Sequence, residues 1–228
     1  ETDFRDGLQT DSNPISFFDG DQSSYSEGFS ENEYANLDYY MQRRFEIIRS
    51  WGESMKPGDS VLELGCGDGY LARILAGYGL EYSGVDLSPE MIRIAMRESK
   101  NAGLSARFKV ADIGKLEITE SYDVIVGFMR TFYSYIQQPN AFLQRSRPYV
   151  RKKLLIDLDP RIDLPLPQAI SAIKKAGYQN VVWRPFFVPK EKRLPLSTLK
   201  LMARCEDIPW IRTFLLRWKF HCLLRCDP

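Results

Sequence analysis

The sequence has no run of about 18 consecutive apolar residues, so it offers no membrane-spanning helix. Cysteine is sparse. Cys66, Cys205, Cys222 and Cys226 are scattered over 228 residues, with Cys66 inside a glycine-rich turn, a distribution that suits free thiols in a reducing compartment better than a disulfide scaffold. No basic segment leading into an apolar core precedes Asp3, so no signal or transit peptide is read, and a cytoplasmic location is expected. The first forty residues almost lack cations, setting ten carboxylates against Arg5 alone. The far end reverses this: from Arg145, Arg147, Arg151, Lys152 and Lys153 onward, Lys and Arg outnumber the acids. Such a basic region suits an anionic substrate, nucleic acid or lipid head groups, or is simply a solvated surface facing the acidic arm.

What is present is an ordinary globular composition, 44% hydrophobic and 27% charged, in a chain long enough for one α/β domain with appendages. Residues 1–33 are rich in Asp, Ser and Gly and read as an arm. Leu37, Tyr40, Met41, Phe45, Ile48 and Trp51 then recur at helical spacing, and Lys56-Pro57-Gly58-Asp59 supplies a turn, so 1–55 is expected to be an acidic arm and lid helix.

From there strands alternate with helices. Ser60–Leu64, Tyr82–Val85, Ala106–Val110, Tyr122–Val126 and Lys153–Asp157 read as strands. Tyr70–Tyr78, Pro89–Ala102, Pro139–Tyr149 and Pro167–Ala176 read as helices, the last stopped by Gly177. That alternation predicts a parallel sheet covered on both faces. Val181–Val188 and Thr198–Ala203 are expected to close it as an antiparallel pair. The core is thus expected over 56–206, followed by an aromatic and basic helical extension over 207–228. In the tail Ile208–Cys226, apolar residues spread around the helical wheel, which suits burial against the domain or a partner more than contact with a membrane surface.

The segment richest in chemistry is Val61-Leu62-Glu63-Leu64-Gly65-Cys66-Gly67-Asp68-Gly69, a short apolar strand entering a glycine turn that opens a helix. Glycines there let the backbone turn sharply and approach a ligand closely, and the helix start presents unpaired N–H groups. The dinucleotide fingerprint would place a third glycine where Tyr70 stands, and Glu63 lies two residues before the first glycine, so the pattern points away from NAD. About twenty residues on, Asp86 ends the second strand where a carboxylate can accept from a ribose diol; Ser88 and Pro89 read as a helix cap, which leaves a plain loop role for Asp86 open.

The E-x-G-x-G-x-G pattern resembles motif I of the class I, Rossmann-like S-adenosylmethionine-dependent methyltransferases, with Val61–Asp157 following that family's order of elements. The resemblance implies a seven-stranded, mostly parallel sheet with one antiparallel closing strand, helices on both faces, and S-adenosylmethionine as methyl donor. It implies cofactor contacts from Glu63, Gly65, Cys66, Gly67, Asp68, Gly69, Asp86, Leu87, Met91, Asp112, Ile113 and Phe128. Asp112 would hold the adenine edge unless it only caps a turn, and Arg43 of the entering helix would close on the donor's carboxylate. The place after the fourth strand, Gly127-Phe128-Met129-Arg130, lacks the D/N-P-P-Y/F motif of amino-directed nucleic-acid methyltransferases, which disfavours base methylation.

Transfer from a sulfonium is an in-line displacement with a neutral leaving group, so a base is optional. If one is used, Tyr133, Tyr135, Asp157, Asp159 and His221 are the candidates. No catalytic metal is expected; His221, Cys222 and Cys226 are read as packing rather than as a zinc fragment. The acceptor is expected to be a small molecule, anionic or lipophilic, methylated on O, N or C. The rival readings are an RNA or protein methyltransferase using the basic half and a non-catalytic docking module.

Overall fold

A computed structural model describes Arg43, Ile47 and residues 55–75, 78–128, 131–187, 194–211 and 221–228. The elements are β1 (Ser60–Leu64), α1 (Tyr70–Leu75), β2 (Glu81–Asp86), α2 (Pro89–Asn101), β3 (Ala106–Val110), β4 (Tyr122–Gly127), α3 (Thr131–Tyr135), α4 (Pro139–Ser146), β5 (Val150–Leu158), α5 (Leu166–Lys175), β6 (Gln179–Pro185), α6 (Leu196–Glu206) and β7 (Cys222–Asp227). One sheet joins all seven strands in the order β3-β2-β1-β4-β5-β7-β6. Strands β1 to β5 pair in parallel, while β7 runs antiparallel to both β5 and β6. The expected architecture is therefore present, with β7 as its single reversed strand.

Every residue of β1 is buried because the strand lies in the middle of the sheet with apolar layers on both faces. On one face Leu62, Leu64, Ile125, Leu154, Ile156 and Leu224 meet α4 and α5. On the other Val61, Val126, Leu155 and Leu223 meet α1, α6 and Ile47 of the entering helix. Helix α2 starts where Ser88 Oγ accepts from Met91 N at 3.2 Å and Pro89 supplies its fixed φ. Helix α5 is followed by Gly177 at φ +95°, the expected stop.

Two sequence expectations are corrected. Thr198–Ala203 is not a strand but the middle of α6, whose buried Leu199, Ala203 and Glu206 recur at helical spacing. The end of the chain is not helical: Cys222–Asp227 forms β7, wedged between β5 and β6, so it belongs to the core sheet. Apolar residues spread all round a helical wheel also describe a strand buried on both faces, and that is what Cys222–Asp227 form here. Residues 209–211 are helical, with Trp210 exposed, and 212–220 lie outside the described residues, as do the arm and most of the lid helix. Among the described residues, no helix is long and apolar enough to cross a membrane.

Candidate active site

The turn after β1 is tied to the end of β2. Gly65 N and Cys66 N both donate to Val85 O, at 2.8 and 3.0 Å. Gly65, Gly67 and Gly69 all have positive φ (72°, 52° and 75°), a region that side chains resist. Crossing from the turn, Gly67 N donates to Asp86 Oδ2 at 2.8 Å, while Ser88 N donates to Oδ1 at 2.9 Å. Asp86 thereby latches the turn, and each of its oxygens retains a second acceptor site for a ligand hydroxyl. Burial raises its carboxyl above the ordinary range, against the hydrogen bonds from Ser88 and Gly67.

Glycine here serves two opposite ends. A Cβ at Gly69 would come within 3.1 Å of Ala95, and one at Gly84 within 2.8 Å of Cys66 Cβ, so these two permit close packing beneath the turn. A Cβ at Gly67 would meet nothing within 4 Å, so the tip of the turn faces open space. This is a cradle into which a diol-bearing nucleoside fits, and S-adenosylmethionine presents such a group.

Asp68 accepts from Tyr70 N at 3.1 Å and pairs with Arg73 at 2.7 Å, capping α1 rather than facing outward alone. Glu63 is buried and accepts from the Tyr82 hydroxyl; desolvation pushes its carboxyl up to about 8. Burial likewise pushes the Cys66 thiol up, which makes it packing rather than a nucleophile. Leu87 and Met91 are half-buried beside the latch. At the end of β3, Asp112 Oδ1 accepts from Gly114 N at 2.8 Å, the turn role left open by the sequence, with Oδ2 3.9 Å from Lys115. The Ile113 side chain packs in the core. Phe128, just beyond β4, is buried on the same face as Val126 and Leu155.

Arg43, expected to close on the donor's carboxylate, is held by carboxylates of the chain itself. Its Nε reaches Glu206 at 3.1 Å and its Nη2 reaches Asp207 at 3.1 Å, with Arg184 bound to the same Asp207. The guanidinium fastens the entering helix to the end of α6 in place of a donor carboxylate, because a fully buried Glu206 requires a cation nearby. Nothing in the sequence links these positions, which lie more than 160 residues apart.

The candidate bases separate clearly. Tyr133 packs edge-on to Phe132, and burial raises its phenol, while Tyr135 is half-exposed on the short α3. Asp159 pairs with Arg161 at 2.7 Å. Asp157 and His221, 64 residues apart, are brought together: His221 Nε2 lies 3.0 Å from Asp157 Oδ2. Cys222 and Cys226 point instead into the opposite core face, since neighbours on an extended strand alternate.

Residues 61–153 match a protein family described as a methyltransferase domain. Over 132 residues, 54% of its length, the chain is 33% identical to phosphoethanolamine N-methyltransferase 3 of Arabidopsis thaliana. It is 24% identical, over 53% of its length, to a ubiquinone biosynthesis O-methyltransferase of Bordetella avium. These alignments cover 26% and 50% of the two relatives, so the chain spans half of their length or less. The solved structure of magnesium protoporphyrin IX methyltransferase from Synechocystis, with bound S-adenosylmethionine, superposes with a TM-score of 0.64 at 13% identity, covering 96% of this chain and 99% of that one. With a reversed β7 in a seven-stranded sheet, a Glu63–Gly69 turn latched by Asp86 and a methyltransferase-domain match that begins in β1, the chain has the fold of the class I, Rossmann-like methyltransferases and carries a methyltransferase domain over residues 61–153.

Proposed function

We propose that the protein transfers the methyl group of S-adenosylmethionine to a small-molecule acceptor at the carboxyl edge of its sheet. The observation that carries this reading is the Gly67–Asp86 latch beneath a turn whose tip is open. Asp86 would take the ribose hydroxyls, the Asp112–Ile113 segment the adenine edge, and Leu87 and Met91 would wall the base. Phe128 and its buried neighbours exclude water from the line of attack, where orientation and dryness supply most of the rate. The relatives named above act on small molecules by name, which agrees with the reading.

The basic stretch gives little support to a polyanion acceptor. Arg151 binds Asp123 at 2.8 Å and Lys152 binds Asp59 at 2.6 Å, and both pairs lie at the amino edge of the sheet, away from the glycine turn. Calorimetry with S-adenosylmethionine and S-adenosylhomocysteine tests the proposal. Micromolar binding is expected in the parent, with at least about a tenfold loss in Asp86→Ala, equivalent to one charge-assisted hydrogen-bond set at about 1.4 kcal/mol. A comparable loss is expected in Gly67→Val, where φ +52° strains a branched residue. A folded parent that binds neither compound would overturn it.

A further inference from the structure

Asp157 is fully buried at the carboxyl end of β5, and His221 precedes β7 diagonally across from it. Because β7 is antiparallel, with Cys222 facing Leu158, His221 lies at the edge that also carries the glycine turn of β1. Val126 pairs with Leu155 and Gly127 with Ile156, which sets Phe128 beside Asp157. Strand alternation puts Glu63, Phe128, Asp157 and His221 on one face. Two strand spacings, about 10 Å, separate β1 from β5, a distance that a nucleoside joined to an amino acid spans.

His221 is fixed through its backbone as well as through its ring. Its backbone oxygen accepts from Phe186 N at 2.7 Å, and Phe187 N donates to the buried Glu206 at 2.7 Å, pinning the segment after β6. Among the described residues, its one side-chain hydrogen bond is to Asp157. A carboxylate accepts only, so in the neutral ring Nε2 carries the hydrogen and Nδ1 the lone pair. Asp159, two residues beyond Asp157, is paired with Arg161 at 2.7 Å. Phe128, Phe186 and Phe187 make the surroundings of this edge aromatic, each side chain being buried against its neighbours.

We infer that His221 is the catalytic base for a phenolic hydroxyl acceptor and that Asp157 is its positioning residue, an inference that rests on the methyl-transfer reading above. A phenol, with a pKa near 10, gives up its proton to an imidazole at a smaller cost than an aliphatic alcohol does. In the step, the acceptor O–H bond breaks and its proton passes to Nδ1. The oxygen's electron pair forms the bond to the methyl carbon as the carbon–sulfur bond breaks toward sulfur, leaving a neutral thioether, and the imidazolium returns the proton to solvent.

The test combines donor calorimetry, transfer of labelled methyl from S-adenosylmethionine to catechol, caffeate and protocatechuate, and nitrogen NMR of the imidazole, which is the only one in the chain. His221→Gln is expected to keep the parental donor Kd and acceptor KM and to lose about a hundred- to ten-thousandfold in kcat. Asp157→Asn is expected to lose kcat at unchanged KM and to shift the imidazole away from the Nε2–H tautomer expected of the parent. Parental kcat in His221→Gln, an Nδ1–H tautomer in the parent, or donor binding without transfer to any of the three phenols would each overturn the assignment while leaving donor binding intact. A folded parent that fails to bind donor would instead overturn the methyl-transfer reading, and this inference with it.

Discussion

Glu63 is a buried carboxyl on a central strand, and its proton is the charge state most at odds with its type. Desolvation holds it near 8 in the folded chain, against an ordinary 4.5, with the Tyr82 hydroxyl working in the opposite direction and Asp68 and Asp86 adding to the rise. Between those values the folded state keeps a proton that the unfolded chain has released, so stability falls as pH rises. The slope is at most about 1.4 kcal/mol per pH unit, and it levels off above pH 8. Thermal unfolding followed from pH 5 to pH 9 should show that decline in the parent, and Glu63→Gln should flatten it; parallel curves would mean that Glu63 is already ionised. At this scale the sequence revealed the residues of the turn and of Asp86, because strand, glycines and acid are close along the chain. It could not reveal the pairing of Asp157 with His221 or of Arg43 with Glu206, which depend on how distant strands and helices meet.

Among the elements, β7 had the least legible sequence and is structurally central. Cys222, Leu223, Leu224 and Cys226 are buried alternately on both faces of the sheet, and a run apolar on every side fits a buried helix equally well. The early strands were legible because turn residues bracket them and helices of amphipathic spacing separate them; α6 was misread because a short window of it, Thr198–Ala203, shows too little of its repeat. The contrast yields a prediction within the tail itself. Leu224 is fully buried between α5 and the strands on either side, so Leu224→Ala should cost about 2–5 kcal/mol of unfolding free energy. Trp210 is 71% exposed, and Trp210→Ala should change stability by less than about 0.5 kcal/mol. Urea denaturation of both variants checks this; equal effects would mean that the tail packs otherwise.

The whole molecule separates charge from chemistry across the length of its strands. At the amino edge, Asp123 accepts from Ser60 N at 3.0 Å, from Ser60 Oγ at 3.1 Å and from Arg151 Nη2 at 2.8 Å, and Lys152 bridges Asp59 and Asp123. At the carboxyl edge lie the turn, Asp86, Phe128 and the Asp157–His221 pair. The Arg151 guanidinium, with help from Ser60, holds the Asp123 carboxyl well below the usual range, so this network stabilises the fold above the ordinary carboxylate pKa and is lost as pH falls below it. Arg151 is half-exposed, so solvent screens the pair and Arg151→Ala should cost only about 1 kcal/mol near pH 7. In urea titrations the gap from the parent should narrow as acid protonates Asp123. The five residues of β1 put about 16 Å between the two edges, a distance at which substitutions act independently, so the same variant should bind S-adenosylmethionine with a Kd within about twofold of the parent's. A larger change in Kd would mean that β1 transmits strain from its charged start to the glycine turn, and the two edges would then have to be treated as one coupled site.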